Sequence, residues 1–215
     1  MTTLHLPILS TAGPYRAYLP WLEGGDRRLV ATDGSWDLDS IGAWAVVRGD
    51  GRARYGWYIA ERTTNHCAEI EAIRRALGMA CHEPRDQPLR LVTDSLSAAG
   101  IVAKLQAGVA IEDLPTPKIH LTTLEALAEH VRDRPIEIHL GHAPAVSAKY
   151  SPAGLGGIAD RLAWTALQLA VHDIFVNDPD VQRWLISDAM QHRKRRERLR
   201  KSWLARGPGR HLALA

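Results

Sequence analysis

Residues 28–175 predict an α/β fold, a five-stranded mixed sheet of order 3-2-1-4-5 flanked by helices. Three short apolar runs come first. The second and third are joined by Gly49-Asp50-Gly51, a turn whose residues tolerate positive φ. Segments of helical spacing then alternate with two more apolar runs, the pattern of helical crossovers between parallel strands.

The elements follow in order. Residues 1–27 contain three prolines and no clear periodicity, and read as an irregular lead-in packed by Tyr15, Tyr18 and Trp21. Arg28 to Thr32 is a short strand ending at Asp33, and Ile41 to Arg48 is a second. Arg52 to Ala60 is a third, alternating Tyr55, Trp57 and Ile59 with Arg54, Gly56 and Tyr58 as a half-buried strand does. Asn65 to Ala80 is a helix capped by Thr64 or Asn65, with Ile70, Ile73 and Leu77 on one face and Arg74 and Arg75 outward. Leu89 to Thr93 is the fourth strand, Ser95 to Gln106 a helix, and Gly108 to Pro117 a loop broken by prolines. Ile119 to Arg132 is a third helix and Ile136 to Leu140 the last strand. A glycine-rich loop from Gly141 to Gly157 leads into a long helix beginning near Ile158.

Composition narrows the class. No run of about 18 apolar residues predicts a membrane span, and the N-terminus lacks the basic start and apolar stretch of a secretory signal. Cys67 and Cys81 fall near opposite ends of one helix. A rise of about 1.5 Å per residue keeps them too far apart for a disulfide, so a reducing, cytoplasmic setting is expected. Residues 1–175 carry 17 Lys/Arg against 20 Asp/Glu, whereas residues 176–215 carry 10 against 4. A mildly acidic body therefore precedes a strongly basic tail, which predicts a polyanionic partner. The expected organisation is an N-terminal extension (1–27), a catalytic domain (28–175) and a basic helical C-terminal extension (176–215).

Four acidic residues carry the chemistry: Asp33 in Thr32-Asp33-Gly34-Ser35, Glu69 in Thr64-Asn65-His66-Cys67-Ala68-Glu69, Asp94 in Thr93-Asp94-Ser95, and Asp160 in Ala159-Asp160-Arg161-Leu162-Ala163. Singly each has an ordinary explanation. Asp33-Gly34 can be a turn, Glu69 a carboxylate facing a helix dipole, and Asp94 and Asp160 helix-start residues. In the expected fold, however, Asp33 lies on the first strand, Asp94 ends the parallel strand beside it, Glu69 projects from a helix on the sheet, and Asp160 sits in the first turn of the closing helix. Four carboxylates meeting at one edge cannot all stay ionised without cations between them. Oxygen ligands suit Mg2+ where phosphates are handled. His139 and His142 do not make a zinc pair, because positions three apart on a strand face opposite ways.

These motifs resemble those of the ribonuclease H family in its type 1 (bacterial-like) form, over roughly Arg28 to Ala170. Gly141-His142-Ala143 resembles the family's histidine-bearing loop after the last strand. The resemblance implies a ribonuclease H-like fold and two-metal hydrolysis of the RNA strand in RNA–DNA hybrids, leaving 5′-phosphate and 3′-hydroxyl ends. It implies two Mg2+ ions per site, with Mn2+ as an alternative, held by Asp33, Glu69, Asp94 and Asp160, and no organic cofactor. It implies a proton-relay or product-release role for His142, and substrate contacts from Gly34, Ser35, Thr64 and Asn65. His66 and Leu96 stand where the family often has polar residues of other kinds, and Gly156-Gly157-Ile158 replaces its usual approach to the last Asp. The interval before the last strand lacks the family's Trp- and Lys-rich protrusion, so Arg193, Lys194, Arg195 and Arg196 of the tail are the expected source of grip. Truncation from about residue 190 is expected to raise KM and flatten the salt dependence of binding. An unchanged salt slope would remove the tail from the interface. A related-fold DNA nuclease and a catalytically inactive nucleic-acid-binding protein are the alternatives.

Overall fold

A computed structural model describes residues 8–37, 40–60, 63–114, 121–132, 134–141 and 152–176. Among these residues six strands form one sheet: β1 (Ile8–Tyr18), β2 (Leu29–Asp37), β3 (Ile41–Arg48), β4 (Arg52–Ala60), β5 (Leu89–Thr93) and β6 (Ile136–Leu140), in the order β1-β4-β3-β2-β5-β6. Among the described residues four α-helices accompany it: α1 (Asn65–Met79), α2 (Leu96–Gln106), α3 (Leu121–Arg132) and α4 (Pro152–Val176). β2, β3 and β4 form an antiparallel meander, and β5 and β6 run parallel to β2. This is an α/β arrangement, a mixed sheet flanked by helices, with the expected 3-2-1-4-5 order in β2 to β6.

The sixth strand corrects the expectation for residues 8–18. Three prolines and no clear periodicity read as an irregular lead-in, but β1 is an edge strand, where Pro14 costs no ladder bond. Its pairing with β4 is irregular between Ala12 and Tyr15, which accommodates Gly13-Pro14. Gly56 makes the pairing close: a Cβ there would stand 2.6 Å from the Ala12 carbonyl oxygen. Tyr15 packs on Tyr55 with ring centroids 5.4 Å apart. Tyr18 and Trp21 are exposed instead of packed, and Leu19 and Leu22 fill the space beneath the lead-in.

Strand alternation divides the core between the two faces. Val30, Val46 and Leu91 point toward α1, α2 and α3, where Ile70, Ile73, Ile101 and Leu127 are buried against them. Ala31, Ala45 and Val92 point the other way, toward Leu155, Ala159 and Ala163 of α4. The alanines on both sides let α4 lie close to the sheet. That packing explains a second correction. α4 starts at Pro152, six residues before the expected Ile158. Proline suits the start of a helix, and burial of Leu155 and Ala159 outweighs the poor helix propensity of Gly154, Gly156 and Gly157.

α1 begins as expected. Thr64 caps it, its hydroxyl accepting from the Cys67 N–H at 3.2 Å. Arg74 and Arg75 do not point away from the body. Both hold the buried Glu71 carboxylate, with contacts of 2.6 to 2.8 Å, and the Thr123 hydroxyl donates to it at 3.3 Å. These partners hold the Glu71 carboxyl below the usual carboxylate range despite its burial. Glu71→Ala removes the anchor between α1 and α3, while the half-exposed arginines are left able to reach water. It is expected to cost about 1–3 kcal/mol, read as a Tm loss of roughly 3–10 °C. An unchanged Tm would show that this network holds nothing together.

Candidate metal and active site

The site forms where β2 outruns its parallel neighbour. Pairing of β2 with β5 stops at Ala31 opposite Val92, whereas pairing with β3 continues through Asp33 opposite Ala45 to Asp37 opposite Ile41. Asp33 therefore lies inside a strand and does not end one, a correction to the expected boundary. Asp94 directly follows the last residue of β5, in the gap beside it. Ser95 then caps α2, accepting from the Ala98 N–H at 3.3 Å.

Glu69 reaches the same place from α1, and Gly34 makes this approach possible. A Cβ on Gly34 would stand 2.3 Å from the Glu69 backbone nitrogen and 2.4 Å from the Ala68 carbonyl carbon. The helix thus rests backbone to backbone on β2. The Gly34 N–H and the Asn65 side chain both donate to the Glu69 carboxylate. Gly34 was expected among the substrate contacts, yet it is buried beneath α1. Its missing side chain and its N–H place Glu69 instead.

One carboxylate oxygen from each of Asp33, Glu69 and Asp94 lies within 4.8 Å of the others. Asp33 and Glu69 are 7% and 3% exposed, while Asp94 opens to solvent. Glu69 Oε2 is buried with no hydrogen-bond partner. An all-oxygen donor set containing a buried, unpartnered carboxylate oxygen fits a hard divalent cation. Asp160 stands outside this trio but near enough for its charge to act on Asp33. It is exposed and lies well inside α4, two turns beyond the first turn where it was expected, so neither capping nor the helix dipole accounts for it.

The electrostatics follow from crowding. Burial first, then the charges of Asp160 and Asp94, push the Asp33 carboxyl up to about 8. Burial first, then Asp33 and Asp94, push Glu69 up to about 9, against the lowering effect of Gly34 and Asn65. Without cations the folded protein therefore holds protons here that the unfolded chain releases above about pH 4. Stability of the metal-free protein should fall as pH rises from that range through 8 to 9. The lowered carboxyls of Asp26, Asp50 and Glu71 act in the opposite sense, but their contribution is already complete above the ordinary carboxylate range and is constant across this window. A Tm loss of roughly 5–10 °C between pH 5.5 and 8.5 in EDTA, largely restored by Mg2+, is expected. A flat metal-free profile would contradict the crowding.

Around the trio, Thr64 is committed to its cap, Asn65 is exposed beside Glu69, and Ser35 is half-buried on β2. The His66–Ser97 contact was not foreseen. His66 Nδ1 lies 2.9 Å from Ser97 Oγ and ties the start of α1 to the start of α2, the two elements that carry Glu69 and follow Asp94. Burial lowers the His66 pKa, which keeps the ring neutral at pH 7. The sequence marked His66 as a departure from a motif, but only spatial pairing shows its partner. His139 Nε2 lies 3.0 Å from Glu137 Oε1 on β6. His142 and the tail residues Arg193, Lys194, Arg195 and Arg196 lie outside the described residues. No helix among the described residues is long and apolar enough to cross a membrane.

Fold and site together define an α/β domain, a mixed sheet flanked by helices, with a carboxylate centre on its central strand. No family model matches the chain, and no curated protein does. Among solved structures it is similar to the solution structure of the PFV RNase H domain, at 23% identity over 65% of this chain and 93% of that one, with a TM-score of 0.43. It is also similar to LC9-RNase H1, a type 1 RNase H with the type 2 active-site motif, at 19% identity over 64% and 71% of the two chains, with a TM-score of 0.40.

Proposed function

We propose that the chain is a divalent-metal-dependent endonuclease that hydrolyses the RNA strand of RNA–DNA hybrids, leaving 5′-phosphate and 3′-hydroxyl ends. The observation that carries this reading is the meeting of Asp33, Glu69 and Asp94 within 4.8 Å, two of them buried. The choice of hybrid as substrate is supported by the sequence motifs around those residues.

Asp33, Glu69, Asp94 and Asp160 would hold two Mg2+ ions, with Mn2+ as an alternative. Bound there, the ions supply neutralisation of the phosphate charge and a lowered pKa for water. The chain's own residues prepare the site. Gly34 and Asn65 fix the Glu69 carboxylate, and the His66–Ser97 contact sets the spacing of the two helix starts. Ser35, Thr64 and Asn65 line the approach of the hybrid backbone, where 2′-hydroxyl contacts select RNA. His142 would carry a proton at the departing 3′ oxygen. The basic tail would add phosphate contacts, in a cytoplasmic setting.

The test incubates the full chain with labelled RNA–DNA hybrid, double-stranded RNA and duplex DNA, in Mg2+ or EDTA. Cleavage confined to the hybrid and to Mg2+ is expected. Cleavage of duplex DNA alone would reassign the substrate, and no cleavage of any duplex with Mg2+ or Mn2+ would sink the nuclease reading.

A further inference from the structure

A second charged feature lies away from the carboxylates and takes no part in the chemistry above. At the β1–β4 edge, a cleft beside the end of α1 is lined by Arg16, Arg27, Arg48, Arg52, Arg54 and His82. Two carboxylates face them, and both are already engaged. Arg48 is buried and holds Asp50 through two nitrogens and Glu83 at 3.0 Å. Arg27 and Arg52 stand 3.8 and 3.7 Å from Asp50, with side chains 64% and 63% exposed. Five guanidinium groups thus share two acids.

Arg16 and Arg54 are the least compensated. They sit directly opposite each other on β1 and β4, and both are exposed. Like charges in direct cross-strand register are destabilising. Among the described residues neither has an acidic partner. The register continues inward from Arg16 to Arg54, Val46 and Thr32, the neighbour of Asp33. Strand spacing of about 4.8 Å puts Arg54 roughly 10 Å and Arg16 roughly 14 Å from β2. Both lie on the sheet face that carries α1.

We infer that this arginine cleft is a phosphate-binding site for a nucleic-acid backbone, a second grip on a duplex engaged at the carboxylate centre. Five guanidiniums sharing two acids, with Arg16 and Arg54 compensated by neither, on a mildly acidic body call for an anion with several charges. A duplex of a dozen base pairs is about 40 Å long, at about 3.4 Å per step, and so reaches both places. The inference rests on the nuclease reading only for the identity of the polyanion; the cleft shares no residue with the metal site. It also gives the body a source of grip independent of the tail.

The test measures binding of a fluorescein-labelled 18-base-pair RNA–DNA hybrid to the full chain by anisotropy, in EDTA, from 50 to 200 mM KCl. The proteins are the parent chain, Arg16→Ala/Arg54→Ala, and Arg132→Ala as a control on another element. The double variant is expected to bind about ten-fold more weakly at 100 mM salt. Its slope of log K against log salt should be shallower by about 1.5 to 2, close to 0.9 for each lost phosphate contact. Arg132→Ala should change neither. Equal affinity and slope in the double variant, with an unchanged Tm, would overturn the inference. So would inorganic pyrophosphate binding that depends on Arg16 and Arg54 while hybrid binding does not, since the cleft would then serve a small anion. Steady-state cleavage separates the two readings: the double variant should raise KM and leave kcat unchanged. A chain that cleaves nothing would remove the nuclease reading and leave the binding result standing.

Discussion

Replacing Asp33 by Asn is expected to lower hybrid cleavage by at least about 1,000-fold while making the metal-free protein more stable. Both effects have one cause. Asp33 is buried beside Asp94 and Asp160, with its carboxyl pushed up to about 8. In EDTA at pH 8 the folded chain must either keep a proton there or bury a charge among like charges, and the unfolded chain does neither. Asn is neutral in both states and nearly the same size. Its gain should be on the order of 1–2 kcal/mol, read as a Tm rise of roughly 3–6 °C. In 10 mM Mg2+ the order reverses, because the parent chain gains ligand stabilisation and the variant loses a central ligand. The activity loss follows from removing a buried carboxylate that would hold the ions. A variant that cleaves normally would show that the reaction takes place elsewhere. One that is inactive but less stable in EDTA would show that Asp33 is a structural residue and not a strained one.

Gly34→Ala is expected to do nearly as much damage with one methyl group. The added Cβ would stand 2.3 Å from the Glu69 nitrogen and 2.4 Å from the Ala68 carbonyl carbon. Both are backbone atoms of a helix packed on a sheet, so no side chain can swing away. α1 must lift from β2. That should cost about 2–4 kcal/mol and move Glu69 relative to Asp33 and Asp94. A displacement of about 1 Å at a reacting centre costs about 100-fold in rate. Gly100→Ala is the matching control. It lies within α2 with nothing within 4 Å of an added Cβ, and should be neutral or stabilising by about 0.5–1 kcal/mol. Equal Tm and kcat in both variants would mean that the close contact of α1 with β2 does not build the site.

Much of this architecture was legible in the sequence because local and tertiary preferences agree. The β3–β4 hairpin turns where Gly51 adopts φ +89, as the Gly-Asp-Gly run predicts. α1 starts where Thr64 caps it, and β5 ends where Asp94 begins the gap. The misreadings share a cause, which is that a partner decides the conformation. Gly13-Pro14 lies in a strand because β4 offers Gly56 opposite. Gly154 to Gly157 are helical because Leu155 is buried on the sheet. β2 passes through Asp33-Gly34 because β3 continues beside it.

The carboxylates were legible for a different reason, since each sits in a short motif of its own. What supports them was not. Gly34 was read as a substrate contact, because nothing local says that a helix backbone lies on it. His66 was a departure without a partner until Ser97 stood across from it. The pairing of Arg16 with Arg54 depends on strand register between segments some 40 residues apart, one of which did not read as a strand.

Asp33, Glu69 and Asp94 are held together for a divalent cation, with Asp33 and Glu69 keeping protons in its absence. Calorimetric titration of the metal-free full chain with Mn2+ at pH 7.5, in two buffers of different ionisation enthalpy, tests it most directly. Saturable binding that releases about one to two protons, and that is lost in Asp33→Asn, is the predicted result. Binding without proton release, or equal binding by Asp33→Asn, would contradict it.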